Sequence, residues 1–207
     1  MDSIFEKLDY WTDKNPEKML FSFLDINGNE IEKYSYQEFN HRTDIIAGNL
    51  YNQYKFKKND RVLLAYPPGL EVICAFFACA KLGLIPVPVY PPTSHGFEAA
   101  LSKMTYIAKD CQATAVLTSK EYYWSIKLNM MRKNMSDFSF KQSLISKLDW
   151  IMTEDFRNLE CEEFQVNHSD ILFLQYTSGS TSDPKGVVVS HKNILHKIPY
   201  IKHSGQA

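Results

Sequence analysis

The amino-acid sequence predicts an α/β domain with a mainly parallel sheet flanked by helices. Two observations carry that class. From Arg61 to Met152, short apolar runs that read as buried strands alternate with longer stretches at helical spacing, the pattern of repeated strand–helix–strand units. Further on, a polar stretch rich in Gly, Ser and Thr is bracketed by two apolar runs, Ile171-Leu172-Phe173-Leu174 and Val187-Val188-Val189. Both runs read as short buried strands, so the stretch between them is a loop projecting from a rigid sheet.

Each element has a local reason. Ser3 to Asn15 reads as an amphipathic helix, with Ile4, Phe5, Leu8 and Trp11 on one side. Met19 to Leu24 and Glu30 to Tyr34 flank Asn27-Gly28, a hairpin-turn signal. Ser35-Tyr36-Gln37-Glu38 is a capping box in which serine and glutamate satisfy each other's backbone donors. It opens a helix to about Tyr54, with Phe39, Ile46 and Leu50 inward. Arg61 to Ala65 is a buried strand. Gly69 to Leu82 is a helix that is apolar nearly all round, with Leu70, Ile73, Phe76, Phe77 and Ala80 at helical spacing and Gly83 placed to end it. Ile85 to Val89 is a strand, and Phe97 to Lys109 is a helix with Phe97, Leu101, Met104 and Ala108 in a stripe. Ala113 to Leu117 is a strand, Glu121 to Lys147 is one or two helices, and Trp150 to Met152 is a strand. Thr153 to Ser169 is a polar surface excursion. Ser190 is placed to cap a helix after Val189.

Bulk properties narrow the possibilities. With 207 residues and 44% hydrophobic content the chain can bury a sizeable core. A formal net charge of −1 gives no electrostatic case for nucleic acid or an anionic membrane. Cys74, Cys79, Cys111 and Cys161 form no close pair and have no histidine at metal-ligand spacing. Cys74 and Cys79 read as core thiols, and a reducing compartment fits best. The start of the chain has mixed charge and no apolar signal core, and the longest apolar run, Val72 to Ala80, is too short to span a bilayer. The expectation is a soluble, cytoplasmic protein. His191 and His196 are five apart and fall on different helix faces, so surface or supporting roles are expected rather than metal binding. No Ser-His-Asp triad or carboxylate pair is apparent, and no catalytic residue is assigned.

The stretch Tyr176-Thr177-Ser178-Gly179-Ser180-Thr181-Ser182-Asp183-Pro184-Lys185-Gly186-Val187 carries the functional signal. Glycines let the backbone approach a ligand closely, and successive N–H groups form a concave anion site. Hydroxyls add donors, Lys185 adds a mobile point charge, and Pro184 stiffens the chain beside it. Such a loop suits a polyphosphate; the plain alternative is a turn joining two strands. It is not a Walker A loop, because Lys185 follows a proline and a valine run comes next. The order instead resembles the phosphate loop of the adenylate-forming superfamily, Tyr-Thr-Ser-Gly-Ser/Thr-Thr-Gly-x-Pro-Lys-Gly-Val. It matches at every position but one, where Ser182 replaces glycine.

Two further blocks refine the resemblance. Tyr66-Pro67-Pro68-Gly69 and Tyr90-Pro91-Pro92 each follow a strand; double proline by itself explains an extended strand exit. Together with Gly83-Leu84-Ile85-Pro86-Val87-Pro88 and the Ser182-Asp183 pair, they look like the fatty acyl-AMP ligase branch. The resemblance runs from about Met19 to Pro199 and covers the first part of the family's domain. Residues 1–207 are therefore expected to be the N-terminal portion of an AMP-binding (adenylation) domain, cut shortly after the phosphate loop and without the C-terminal domain.

The resemblance implies the N-terminal part of the adenylate-forming fold, incomplete here. It implies ATP with Mg2+, a fatty acid activated to acyl-AMP, and transfer to an acyl carrier protein or a polyketide or peptide synthase module rather than to coenzyme A. Thr177, Ser178, Gly179, Ser180, Thr181, Lys185 and Gly186 are the implied nucleotide-binding residues. Adenine and ribose contacts, the magnesium-binding glutamate and the catalytic lysine of the family would lie beyond residue 207, so this stretch alone is expected to be inactive. Rivals are an acyl-CoA synthetase or another acid-adenylating domain, a silent nucleotide-binding remnant, and a scaffold piece. Phe76, Phe77, Met104 and Tyr106 are candidates for lining an acyl tunnel, with core packing as their ordinary alternative.

Overall fold

Strand–helix alternation resolves into four parallel strands with helices on both faces, followed by a separate β-hairpin. The computed structural model describes residues 3–92, 96–132, 144–159, 166–177 and 184–204. The chain runs through α1 (Ile4–Lys14), β1 (Met19–Leu24), β2 (Glu30–Ser35) and α2 (Tyr36–Asn52). It continues through β3 (Arg61–Ala65), α3 (Glu71–Lys81), β4 (Ile85–Pro88), α4 (Phe97–Asp110), β5 (Ala115–Thr118) and α5 (Lys120–Arg132). A short α6 (Leu144–Lys147), β6 (Asp149–Met152), a 3-10 turn (Thr153–Asp155), β7 (Ile171–Thr177), β8 (Lys185–Ser190) and α7 (His191–Ser204) complete it. Among the described residues no helix is long and apolar enough to cross a membrane.

The main sheet has the order β4-β3-β5-β6, and every pair is parallel. Both faces are covered, which is why its strands read as continuous apolar runs. Period-two alternation splits β3 between two cores. Val62 and Leu64 point to one core, with Phe39, Ile46 and Leu50 of α2 and Cys74, Ala78 and Cys79 of α3. Leu63 and Ala65 point to the other, with Phe97, Leu101, Met104 and Ala108 of α4. The stripe predicted on α4 is therefore buried at all four positions.

Local signals account for most boundaries. Ser3 Oγ caps α1 by accepting from Glu6 N at 3.0 Å. The capping box forms in full: Ser35 Oγ accepts from Glu38 N at 3.2 Å, and Glu38 Oε2 accepts from Ser35 N at 2.8 Å. Gly83 adopts φ +64 just past α3, the left-handed step that lets the chain turn into β4. Ser190 Oγ accepts from Asn193 N at 3.3 Å and starts α7 as expected.

Several expectations change. The β1–β2 hairpin has a loop held by Asp25, whose Oδ1 accepts from Asn27 N and Asn29 N, each at 2.8 Å; Gly28 alone takes the left-handed conformation there. On α3 the fully buried residues are the small ones, Cys74, Ala75, Ala78, Cys79 and Ala80; of the expected set Ala80 and the preceding Leu70 are buried, whereas Ile73, Phe76 and Phe77 are half-buried. Small side chains let α3 lie close to the sheet, while the aromatics pack sideways: Phe77 against Phe5 and Phe39, and Phe76 against Phe173 of β7. Thr153 is buried rather than on a surface excursion, because it completes a polar cluster at the carboxyl ends of β3 and β6. His191 is buried against Phe5, with ring centroids 5.8 Å apart. The middle of the long helical stretch, residues 133–143, and Cys161 lie outside the described residues.

The largest departure is β8. It was expected to be a buried strand in a sheet, but Val187 and Val188 are 49% and 57% exposed. The cause is topological: β7 and β8 form their own antiparallel pair, outside the parallel sheet. β7 packs alongside β4, and β8 hangs on its far side with no strand beyond it among the described residues. The predicted loop is thus the tip of a hairpin.

Candidate functional site

A cavity of about 830 Å3 lies where the parallel strands end. Its lining collects the exits of β3 and β4, both of them Tyr-Pro-Pro segments: Tyr66, Pro67 and Pro68 from one, Tyr90 and Pro91 from the other. Open parallel sheets bind ligands outside the carboxyl ends of their strands, where the strand order reverses. Here β3 has β4 on one side and β5 on the other, with α3 and α4 on opposite faces. The cavity lies outside the carboxyl ends of β3 and β4, next to that reversal, and its size falls in the range usual for small-molecule pockets.

The walls are mostly apolar. Ala99, Ala100, Met104 and Ile107 of α4 form one side, and Val72, Pro88 and Val89 contribute elsewhere. Polar groups are few: Lys103, Gln175, Thr177 and the phenols of Tyr66, Tyr90, Tyr122 and Tyr176. Of the four tunnel candidates, Met104 is in the wall; Phe76 and Phe77 belong to the aromatic packing beside α3, and Tyr106 is not among the lining residues.

Three of the tyrosines are held by long-range hydrogen bonds, Tyr122, Tyr66 and Tyr176. Tyr122 is buried, and its hydroxyl donates to Pro92 O at 2.7 Å, pinning the second Tyr-Pro-Pro exit. Tyr66 is buried, and its hydroxyl meets Thr153 Oγ1 at 3.1 Å. Thr153 Oγ1 has one proton and donates it to Glu71 Oε1 at 2.6 Å, so Tyr66 is the donor of the other bond. Arg42 completes the cluster: it is ion-paired to Glu71 and donates to Thr153 O at 3.0 Å. Burial raises the Tyr66 phenol well above its usual value, so it stays neutral and able to donate.

The phosphate-loop residues divide by what is described. Thr177 and Lys185 are cross-strand partners at the loop end of the hairpin, and Thr177 Oγ1 donates to Lys185 O at 3.5 Å. Both are exposed. Thr177 and Pro184 border the cavity, so the hairpin tip opens onto it. Ser178, Gly179, Ser180 and Thr181 lie outside the described residues. Gly186 faces Tyr176 across the pair, and a Cβ built on it would stand 2.9 Å from that ring. A glycine inside a strand often marks such a close approach. That signal was available in the sequence; its partner, Asp110, was not.

The residues present fit an anionic phosphate chain at the hairpin tip, with an exposed lysine, a hydroxyl and a backbone free to approach. The expected magnesium ion is different. Among the described residues no group of three or more His, Cys, Asp or Glu could hold a metal, so that ion has no ligand set here.

Comparison with known proteins agrees with the geometry. The family model described as AMP-binding enzyme matches residues 8–206. The medium-chain-fatty-acid–[acyl-carrier-protein] ligase JamA of Moorena producens is 32% identical, covering 98% of this chain and 33% of the relative. The crystal structure of the fatty acid AMP ligase from Legionella pneumophila superposes with a TM-score of 0.78 at 30% identity, over 98% of this chain and 32% of that one. A Legionella pneumophila fatty acyl-adenylate ligase in complex with acyl adenylate and pyrophosphate gives a TM-score of 0.77 at 31% identity, with the same coverage. The chain spans about a third of the length of these relatives.

Proposed function

The chain belongs to the AMP-binding enzyme family, and from that premise we propose that it is the N-terminal part of a longer ligase that activates a fatty acid with ATP and passes the acyl group to a carrier protein. One observation carries the reading. The hairpin bearing the phosphate-loop motif opens, through Thr177 and Pro184, onto an apolar cavity large enough for an acyl chain. Nucleotide phosphates and a hydrophobic acid would then meet at one place.

In the first step a carboxylate oxygen of the acid attacks the α-phosphorus of ATP. The bond from that phosphorus to the bridging oxygen breaks, and pyrophosphate leaves. Negative charge builds on the leaving phosphates, so fixed donors aimed at them lower the barrier. Thr177, Ser178, Gly179, Ser180 and Thr181 would supply hydroxyl and backbone donors, Lys185 would neutralise charge on the β and γ phosphates, and Gly186 would keep the strand beside them bare. The walls of Val89, Ala99, Ala100, Met104 and Ile107 would hold the alkyl chain and exclude water from the mixed anhydride. In the second step a carrier thiol attacks the acyl carbon, and AMP leaves. JamA, named as an acyl-carrier-protein ligase, supports a carrier as acceptor, as do the Tyr90-Pro91-Pro92 exit and the Ser182-Asp183 pair.

The test uses the full-length ligase with ATP, a medium- or long-chain acid, and either coenzyme A or a phosphopantetheinylated carrier protein. Acyl-AMP and acyl-carrier are the expected products, with little coenzyme A thioester. Efficient acyl-CoA formation would assign the chain to the synthetase branch. Binding of ATP without pyrophosphate release would make it a silent remnant, and no ATP binding by folded protein would remove it from nucleotide chemistry.

A further inference from the structure

Tyr176 does two things at once. Its ring lines the cavity, and its hydroxyl donates to Asp110 Oδ2 at 2.5 Å. To reach Asp110 the ring crosses its cross-strand neighbour Gly186. A Cβ there would meet the ring Cζ at 2.9 Å, closer than real Cβ atoms stand, and the hydroxyl at 3.1 Å, so the far end of the Tyr176 side chain would have to shift. Asp110 is the last residue of α4, whose earlier turns form the cavity wall through Ala99, Ala100, Met104 and Ile107. A single hydrogen bond therefore ties the strand leading into the phosphate loop to the helix that shapes the cavity. Burial raises the Tyr176 phenol above its usual value and Asp110 raises it further, so the hydroxyl keeps its proton at neutral pH.

The hairpin is held through β7, which packs alongside β4, and this tie adds a hydrogen bond at the strand end nearest the phosphate-loop motif. β8 has Val187 and Val188 exposed, so the hairpin's orientation comes from β7. There Phe173 packs on Phe76 at 5.4 Å, and Leu174 and Tyr176 pack on the core beneath α4. Of these, Tyr176 is next to Thr177 and directly across from the neighbour of Lys185.

We propose that Asp110 and Tyr176 are positioning residues: their hydrogen bond, passing over the bare Gly186, fixes Thr177 and Lys185 relative to the cavity. The proposal rests on the ligase reading above. Rotation of the hairpin by a small angle moves Lys185 relative to the phosphates without emptying the cavity. Misplacement of about 1 Å is enough to cost a large factor in rate.

The experiment measures ATP–pyrophosphate exchange by the full-length ligase, with separate kcat and KM values for ATP and for the acid. Asp110→Ala and Tyr176→Phe are expected to lower kcat/KM for ATP about tenfold or more. KM for the acid should stay within about twofold and the melting temperature within about 2 °C, because Tyr176→Phe keeps the ring and Asp110 is on the surface. Asp110→Asn should recover most of the loss, since its amide oxygen accepts the same hydrogen bond. Gly186→Ala should reproduce the defect by pushing the ring off Asp110. Wild-type kinetics in both Tyr176→Phe and Asp110→Ala would overturn the proposal. So would losses shared equally by both substrates and tracking the melting temperature, which is the signature of a merely structural role. Lys185→Ala separates the two levels. If it leaves exchange intact, the phosphate-binding reading falls and takes this proposal with it. If it abolishes exchange while Tyr176→Phe and Asp110→Ala behave as wild type, only the positioning role falls.

Discussion

β3 in the main sheet and β8 in the hairpin are built from similar residues and end up in opposite surroundings. Val62, Leu63, Leu64 and Ala65 are all buried, sandwiched between α2–α3 on one face and α4 on the other. Val187 and Val188 are about half exposed, on a strand whose one paired neighbour is β7. Apolar, β-branched composition therefore sets strand formation, and the covering layers set burial. The difference also separates two jobs. The sandwiched sheet is a rigid frame that shapes the cavity, and the hairpin is an attached arm whose aim depends on a few side-chain ties.

Truncation on either side is the strongest way to break that contrast. Leu63→Ala opens a hole at the meeting of sheet and α4, and should cost about 2–5 kcal/mol of stability. Val188→Ala removes exposed surface and should stay within about 0.5 kcal/mol. Chemical denaturation of the unit containing these residues would read both; equal costs would mean that β8 is covered in the working protein.

A smaller effect is expected at the polar cluster below the cavity. Thr153→Val keeps the shape but leaves the Tyr66 hydroxyl without its acceptor and takes one donor from Glu71, which keeps Arg42. A cost of about 1–3 kcal/mol follows from stranding buried polar groups. Thr153→Ser should restore most of it, and a Thr153→Val protein as stable as wild type would show that water repairs the cluster.

The smallest effect concerns pH. Burial lowers the His191 pKa below the ordinary 6.5, against the opposing pull of Asp170, with His168 and Lys58 also nearby. The unfolded chain then binds more protons between the folded pKa and 6.5. Stability from neutral His191 is complete above that window and is lost as pH falls through it. Asp170 acts in a lower window: burial would raise its carboxyl pKa, but the Lys58 hydrogen bond holds it below the ordinary 3.8. The drop in melting temperature from pH 7.5 to 5.5 should be smaller in His191→Phe than in wild type. An unchanged drop would assign the dependence to other groups.

What was legible in the sequence follows from how local each signal is. The Ser35–Glu38 box, the α4 stripe, Gly83 after α3 and the apolar runs of β3 to β6 are readable because their causes lie within a few residues. The Gly/Ser/Thr motif is equally local, and of its residues Thr177, Lys185 and Gly186 are brought together across the β7–β8 pair. The rest depends on partners far along the chain. Thr153 looked like loop because Glu71 and Tyr66, which make it a buried link, precede it by 82 and 87 residues. Asp110 carried no signal of its own, since Tyr176 lies 66 residues on. The burial of small rather than large residues on α3 depends on how closely the helix approaches the sheet, which periodicity does not report.

The central claim is that the exposed hairpin end, and not the buried frame, carries the phosphate chemistry. ATP–pyrophosphate exchange by the full-length ligase bearing Lys185→Ala tests it most directly. Loss of a charge-assisted contact to the developing phosphate charge should lower exchange by about 100-fold or more, with the melting temperature unchanged because Lys185 is exposed. Exchange within a few-fold of wild type would contradict the account and remove Lys185 from the mechanism.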